Sequence, residues 1–200
     1  MARKLREKID APGALYHIVC RGVNQCRTFR SVRDYKKFLT VLEKAKNRFG
    51  FYLYSYNLLP NHMHFFIEVG DISISEIMHY INGYYAGYFN RRHKRSGHLF
   101  QDRFYSALID TESYFWAVSA YIDLNAVRAG LADRPEDYRW SSYQFYFQQN
   151  YKEELIDRER FLTLSGVGSI EELRLNYLEF VKEEAKIEKR PKFIKSEKFI

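Results

Sequence analysis

The sequence predicts an α+β domain built on a four-stranded antiparallel sheet, and three observations lead there. Short apolar runs bounded by turn residues alternate with longer amphipathic segments, in the order strand, helix, strand, strand, helix, strand, helix. Two of those strands follow one another directly, parted only by Pro60-Asn61. A hydrophobic fraction of 46% and an aromatic fraction of 18% suffice for a real core and exclude a disordered chain. With 200 residues, one domain with additions is expected rather than two equal ones.

Residues 15–21 are strand-like, and Gly22-Val23-Asn24 reads as a turn. Ser31 caps a helix starting near Val32, with Asp34 in its first turn. Tyr35, Phe38, Leu39, Leu42 and Ala45 mark its buried face, and Gly50 ends it. Residues 51–59 form a second strand and 62–69 a third. Cap residues over 71–75 open a helix carrying Ile77, Ile81, Tyr85 and Phe89, which runs out at 91–95. Residues 104–109 read as a fourth strand. Thr111 and Glu112 open a third helix, expected to continue to about Val127 and end near Gly130. The order is that of the split βαβ, ferredoxin-like arrangement. Its first and third strands are central, with both helices on one face and the other face expected to be free for a ligand. Beyond Pro135 the segment 138–143 is aromatic and turn-prone. A short helix is expected from Ser169 to about Glu184, and the lysine-rich chain from Lys186 reads as a basic tail.

The formal net charge is +7, and the isoelectric point near 9.3 favours a polyanion partner, nucleic acid before acidic membranes; the plain alternative is a soluble basic protein. Cys20 and Cys26 have no CxxC spacing, so neither a zinc finger nor a disulfide scaffold is expected. The basic N-terminus lacks the apolar stretch of a secretory signal, and no run has the length of a membrane span. A cytoplasmic protein with no membrane partner is the expectation.

The chemistry concentrates in Asn61-His62-Met63-His64-Phe65-Phe66. On a strand His62 and His64 project to one side, about 7 Å apart, and Met63 to the other. Such a pair can grip a divalent cation or position a phosphate, though it can also be merely structural. Tyr121 and Asn125, four apart, share a helical face. If that helix packs beside the sheet, two imidazoles and an amide meet a phenol, a set suited to phosphoryl transfer through a covalent phosphotyrosine. Each member has a plain reading. Tyr121 can be a core aromatic, with Tyr114 its rival as nucleophile, and Asn125 can bond backbone at a helix end. Asn61 and Pro60 are expected only to shape the turn. His17, on the neighbouring central strand, either touches the site or packs away from it.

These residues form an ordered set that resembles a known family. Residues 60–65 resemble the His-hydrophobic-His signature of single-tyrosine HUH transposases. Residues 12–17 with Arg21-Gly22 resemble its opening strand, 88–93 and 97–104 its middle, 121–130 its catalytic helix, and 140–143 its closing motif. The likeness covers roughly 11 to 146 and is nearest to REP-associated tyrosine transposases. It implies a transposase domain over 1–148 and a helical C-terminal extension with a basic tail over 149–200. It further implies that Tyr121 attacks single-stranded DNA, giving a 5′-phosphotyrosine and a free 3′-OH, with Mg²⁺ or Mn²⁺ held by His62, His64 and Asn125. Imidazole suits Mn²⁺ better than Mg²⁺. Arg21, Arg91, Arg92, Lys94, Arg95, His98 and Arg103 are the candidate DNA contacts. The implied partners are DNA hairpins with adjacent guide sequence, the assembly a monomer or homodimer, and the setting a prokaryotic cytoplasm with nucleoid association through DNA. Ala126 stands where the family usually has proline, so the helix is expected to run on past Asn125. The competing function is a non-catalytic single-stranded nucleic-acid-binding module on the same sheet.

Overall fold

A computed structural model describes residues 11–109, 112–148 and 155–187, side chains of 112–114 excepted. Four strands form the sheet: β1 (Leu15–Arg21), β2 (Tyr52–Leu58), β3 (His62–Glu68) and β4 (Tyr105–Ile109). Their order is β2-β3-β1-β4, with every neighbour antiparallel. The predicted arrangement is therefore the observed one, with β1 and β3 central. Val19 lies opposite His64 and Arg21 opposite His62, so the histidine strand is clamped between two partners. Tyr54 is the extra residue of a bulge in β2 between Leu53 and Ser55.

Helices α1 (Val32–Phe49) and α2 (Ile74–Arg92) cover one face. Phe38 of α1 stacks on Phe65 at 5.8 Å and meets Tyr85 of α2 edge-on at 4.9 Å. Asp34 joins their ends. Its buried carboxylate accepts from the Arg30 and Ser31 amides at the start of α1 and pairs with Arg92 and His93 at the end of α2. Gly50 ends α1 as predicted, at φ 66°, a left-handed conformation that costs glycine little.

The opposite face is not free, contrary to expectation. Helix α3 (Glu112–Asp123) lies across β2 and β3, where Phe115 packs on Tyr54 and Phe66 at ring distances of 5.1 and 5.0 Å. Two more helices, α6 (Arg158–Ser165) and α7 (Ile170–Ala185), pack behind α3 through Phe161, Tyr177 and Trp116. The face would otherwise leave Phe66, Tyr54 and Phe115 in water, and burial of such rings drives its closure. Helix α7 matches the predicted one, its Ser169 cap accepting from the Glu172 amide at 3.1 Å; α6 is unpredicted. The turn-prone segment after Pro135 runs along the outer edge of β2, where the Leu58 amide donates to the Trp140 carbonyl and the Ser142 amide to Tyr56. It shields an edge strand that would otherwise expose unpaired backbone. It then enters the short α5 (Tyr143–Phe147). The basic tail beyond residue 187 lies outside the described residues. Among the described residues no helix is long and apolar enough to cross a membrane.

Candidate active site

The turn between β2 and β3 is fixed before either histidine is reached. The Thr28 amide donates to the Pro60 carbonyl and the Gly22 amide to that of Asn61, both at 2.8 Å. Gly22 has no room for a side chain, since a Cβ there would lie 2.2 Å from the Cys26 carbonyl oxygen. From this turn His62 and His64 project to the same side and Met63 is buried on the other, as strand alternation requires. Their ring centroids are 5.1 Å apart. Asn61 does more than shape the turn: its Oδ1 accepts from His62 Nδ1 at 2.7 Å. That bond places the His62 proton on Nδ1 and leaves the Nε2 lone pair for a ligand. His17 belongs to the site as well. Its Nε2 lies 3.1 Å from His64 Nδ1, and the two rings stack at 5.3 Å. Burial pushes His17 down to about 4. Burial does the same to His62, also to about 4, with the Arg21 charge adding to the effect. Both rings are therefore neutral at pH 7, the form that ligates metals.

Tyr121 and Asn125 come from the far end of α3. The helix does not run on through Asn125. It breaks at Leu124 and resumes as a four-residue turn, α4 (Asn125–Arg128), with Ala126 buried inside it. The cause lies in β2: Asn57 Nδ2 donates to the carbonyls of Ile122 at 2.8 Å and Asp123 at 3.3 Å. A continuous helix would offer those oxygens to residues 126 and 127, so the inserted amide interrupts the ladder. Across the break Asn125 Nδ2 donates to the Tyr121 carbonyl at 3.0 Å. Its backbone-bonding role is thus real, and Oδ1 remains as the atom a hard cation would take. The Tyr121 ring stands edge-on to His17 at 5.7 Å and His64 at 6.0 Å, and the Arg128 guanidinium lies 5.4 Å from its centre. On the opposite side of the helix, Asp123 is buried and accepts from Ser142 Oγ at 2.9 Å and the Tyr177 hydroxyl at 2.8 Å. Burial raises its carboxyl to about 7, against the downward pull of those two hydrogen bonds.

His62, His64, Tyr121 and Asn125 line one cavity of about 290 Å³, together with Val19, Arg21, Tyr105 and Arg128. Gln101 and Asp102 enter it because the 99–101 segment continues the pairing of β1, the Gln101 amide donating to the Arg21 carbonyl at 2.9 Å. The donor set fits a divalent cation: two imidazoles, each with Nδ1 engaged by a protein partner, and an amide oxygen. Among the described residues no three His, Cys, Asp or Glu side chains group to hold a metal. Two imidazoles and an amide would leave positions for phosphate oxygens and water.

Residues 11–125 match the family described as transposase IS200 like. The chain belongs to the IS200-like transposase family. Its fold is that of a solved structure described as the REP associates tyrosine transposase bound to a REP hairpin, with TM-score 0.62 and 19% identity. That match covers 78% of this chain and 94% of the other. A second solved structure, provisionally assigned as a transposase from Deinococcus radiodurans R1, aligns with TM-score 0.43 and 12% identity over 61% of this chain and 96% of its own. No curated protein matches.

In this transposase the candidate DNA contacts are scattered. Arg21 lines the cavity, and the others lie elsewhere. Arg91 borders a groove with Tyr80 and Tyr84 on the outer side of α2, and His98 and Arg103 line another between α2 and the 97–104 loop. Arg92 is paired with Asp34 at 3.3 Å. Lys94 takes the left-handed turn that reverses the chain after α2, and Arg95 sits over the Phe89 ring at 5.9 Å. Sequence reasoning passed over Arg128, Asn57 and Asp123. Arg128 follows Tyr121 by seven residues, two helical turns, and that spacing was the available signal. Asn57 reaches the helix from a strand 65 residues away in sequence, and nothing local announces it.

Proposed function

We propose that this transposase cleaves single-stranded DNA through Tyr121. The phenolic oxygen attacks a backbone phosphorus and forms a P–O bond, and the bond from phosphorus to the 3′ oxygen breaks. The phenol loses its proton and the departing 3′ oxygen gains one. The products are a 5′-phosphotyrosine and a free 3′-OH, and attack of a 3′-OH on the phosphotyrosine reverses the step and joins strands. The observation that carries this reading is the shared cavity: the only tyrosine of α3 lying against His62, His64 and Asn125 among the described side chains is Tyr121. His62 and His64 would hold Mg²⁺ or Mn²⁺, with Asn125 Oδ1 as third donor. When bound, the cation supplies charge for the non-bridging phosphate oxygens. Arg21 and Arg128 bring permanent positive charge to the same cavity. The hairpin-bound relative suggests DNA hairpins as the substrate class.

The test is covalent trapping. Labelled single-stranded hairpins from around the gene are incubated with protein and Mn²⁺ or Mg²⁺, then denatured. The expected adduct disappears with Tyr121→Phe and with EDTA. An adduct that survives Tyr121→Phe moves the role to another tyrosine, Tyr114 first, whose side chain lies outside the described residues. Tight binding to several hairpins with no adduct turns the protein into a binding module.

A further inference from the structure

The family match ends at residue 125, yet the turn that carries Tyr121 is held from beyond it. Asp123 is fully buried on the side of α3 facing away from the cavity. Two hydroxyls converge on its carboxylate. Ser142, from the segment along β2, donates to Oδ1 at 2.9 Å. Ser142 Oγ also lies 3.2 Å from the Tyr56 carbonyl, but its single proton belongs to the shorter contact. Tyr177, from the middle of α7, donates to Oδ2 at 2.8 Å. The Tyr177 ring is fully buried between Tyr146 at 4.6 Å and Phe161 at 5.7 Å, so its hydroxyl has little freedom to move. Directly after Asp123 the helix breaks at Leu124, and the chain then presents Asn125 to the cavity.

At a helix break the ladder hydrogen bonds are interrupted, so the geometry of the turn depends on the side chains that bond to it. The Asn57 amide fixes its carbonyls from the sheet side. The carboxylate of Asp123 fixes the same turn from behind. We propose that Tyr177 is a positioning residue for cleavage, locking the Tyr121–Asn125 turn through Asp123 and so making the C-terminal helices part of the active-site machinery. Removing its hydroxyl leaves one carboxylate oxygen without its donor in a dry environment, and the turn relaxes around it. Misplacement of a nucleophile by a fraction of an ångström to 1 Å is enough to slow chemistry without loss of substrate affinity.

The proposal rests on Tyr121 as nucleophile in one of its two readouts. Tyr177→Phe keeps the packed ring and removes only the hydroxyl. In full-length protein it is expected to bind hairpin DNA within about two-fold of wild type and to form adduct about ten-fold or more slowly at saturating DNA. Hydrogen exchange provides the second readout, which needs no activity. The amides of Leu124, Arg128 and Ala129, which bond on either side of the break, are expected to exchange faster, with β1 and β3 amides unchanged. Ser142→Ala should give the same pattern from the other oxygen. Adduct formation at the wild-type rate overturns the proposal. So does exchange that rises uniformly through the sheet, because Tyr177 would then only stabilise the fold. Absence of adduct in the wild type itself would instead refute Tyr121, and local exchange would still decide whether Tyr177 holds its turn.

Discussion

At His62 the ring is oriented by one hydrogen bond to its own neighbour, Asn61, and at His64 by one to His17 on the adjoining strand. Neither partner is placed to ligate, and both act by deciding which nitrogen carries the proton. If Nε2 of His64 takes a cation, Nδ1–H donates to His17 Nε2, and His17, kept neutral by burial, can accept. Outer partners of this kind typically govern metal affinity by about 10- to 100-fold. Asn61→Ala is therefore expected to weaken Mn²⁺ binding by about that factor while leaving the fold intact, since the turn is held by the backbone bonds of Pro60 and Asn61. Titration calorimetry with Mn²⁺ checks this. Affinity equal to wild type would mean that His62 does not bind the ion through the tautomer Asn61 selects.

Among the elements, α1 and α2 meet at Asp34, a carboxylate held by two amides, the Ser31 hydroxyl, Tyr88, His93 and Arg92. Burial alone would raise its pKa, but the hydrogen bonds from Arg30, His93 and Ser31 outweigh burial and hold it below the ordinary carboxylate value. A carboxyl depressed in the fold contributes stability that is present above its unfolded value and lost as pH falls through the folded one. Urea unfolding between pH 5 and 2 should therefore show a destabilisation below about pH 4 that Asp34→Ala lacks. At pH 7 that variant is expected to lose about 3 kcal/mol, the cost of stranding buried donors. Equal acid slopes in the two proteins would refute the assignment. The two helices themselves were legible in the sequence because their signals are local: Ser31 and Gly50 bracket α1, and the apolar spacing of Ile77, Ile81, Tyr85 and Phe89 marks α2. The strands were legible for the same reason. Helix α6 was not, because two turns with Arg158, Glu159 and Arg160 at their start show little periodicity. The break at Leu124 was not, because Asn57 imposes it from another element. The histidine pair, Tyr121 and Asn125 were legible as a motif, whereas His17, Arg128 and Asp123 gain meaning only from packing.

Across the whole molecule the open question is what the C-terminal helices do for the rest. They are joined to it by polar contacts as well as rings. Asp157 pairs with Lys46 of α1 at 2.9 Å and accepts from the Leu53 amide of β2 at 2.7 Å. Arg160 pairs with Glu68 at 2.7 Å, a carboxylate buried at the end of the histidine strand that also accepts from the Tyr54 hydroxyl. Arg160 is 39% exposed in its side chain, so solvent screens the pair, and Arg160→Ala should cost about 2 kcal/mol rather than the ~3–5 of a fully buried pair. A fragment of residues 1–148 faces a larger loss. It would strand Glu68 without its cation, leave Asp123 with one hydroxyl, and expose Phe115, Trp116 and Tyr146 where Phe161 and Tyr177 now cover them. Unpaired buried carboxylates and an uncovered aromatic face both act against the same sheet layer. The fragment is therefore expected to lack the single cooperative urea transition and the near-ultraviolet circular dichroism of the full chain. A fragment with both, and with unchanged midpoint, would show that the transposase sheet closes its second face with α3 alone and that α6 and α7 are added to an already complete fold.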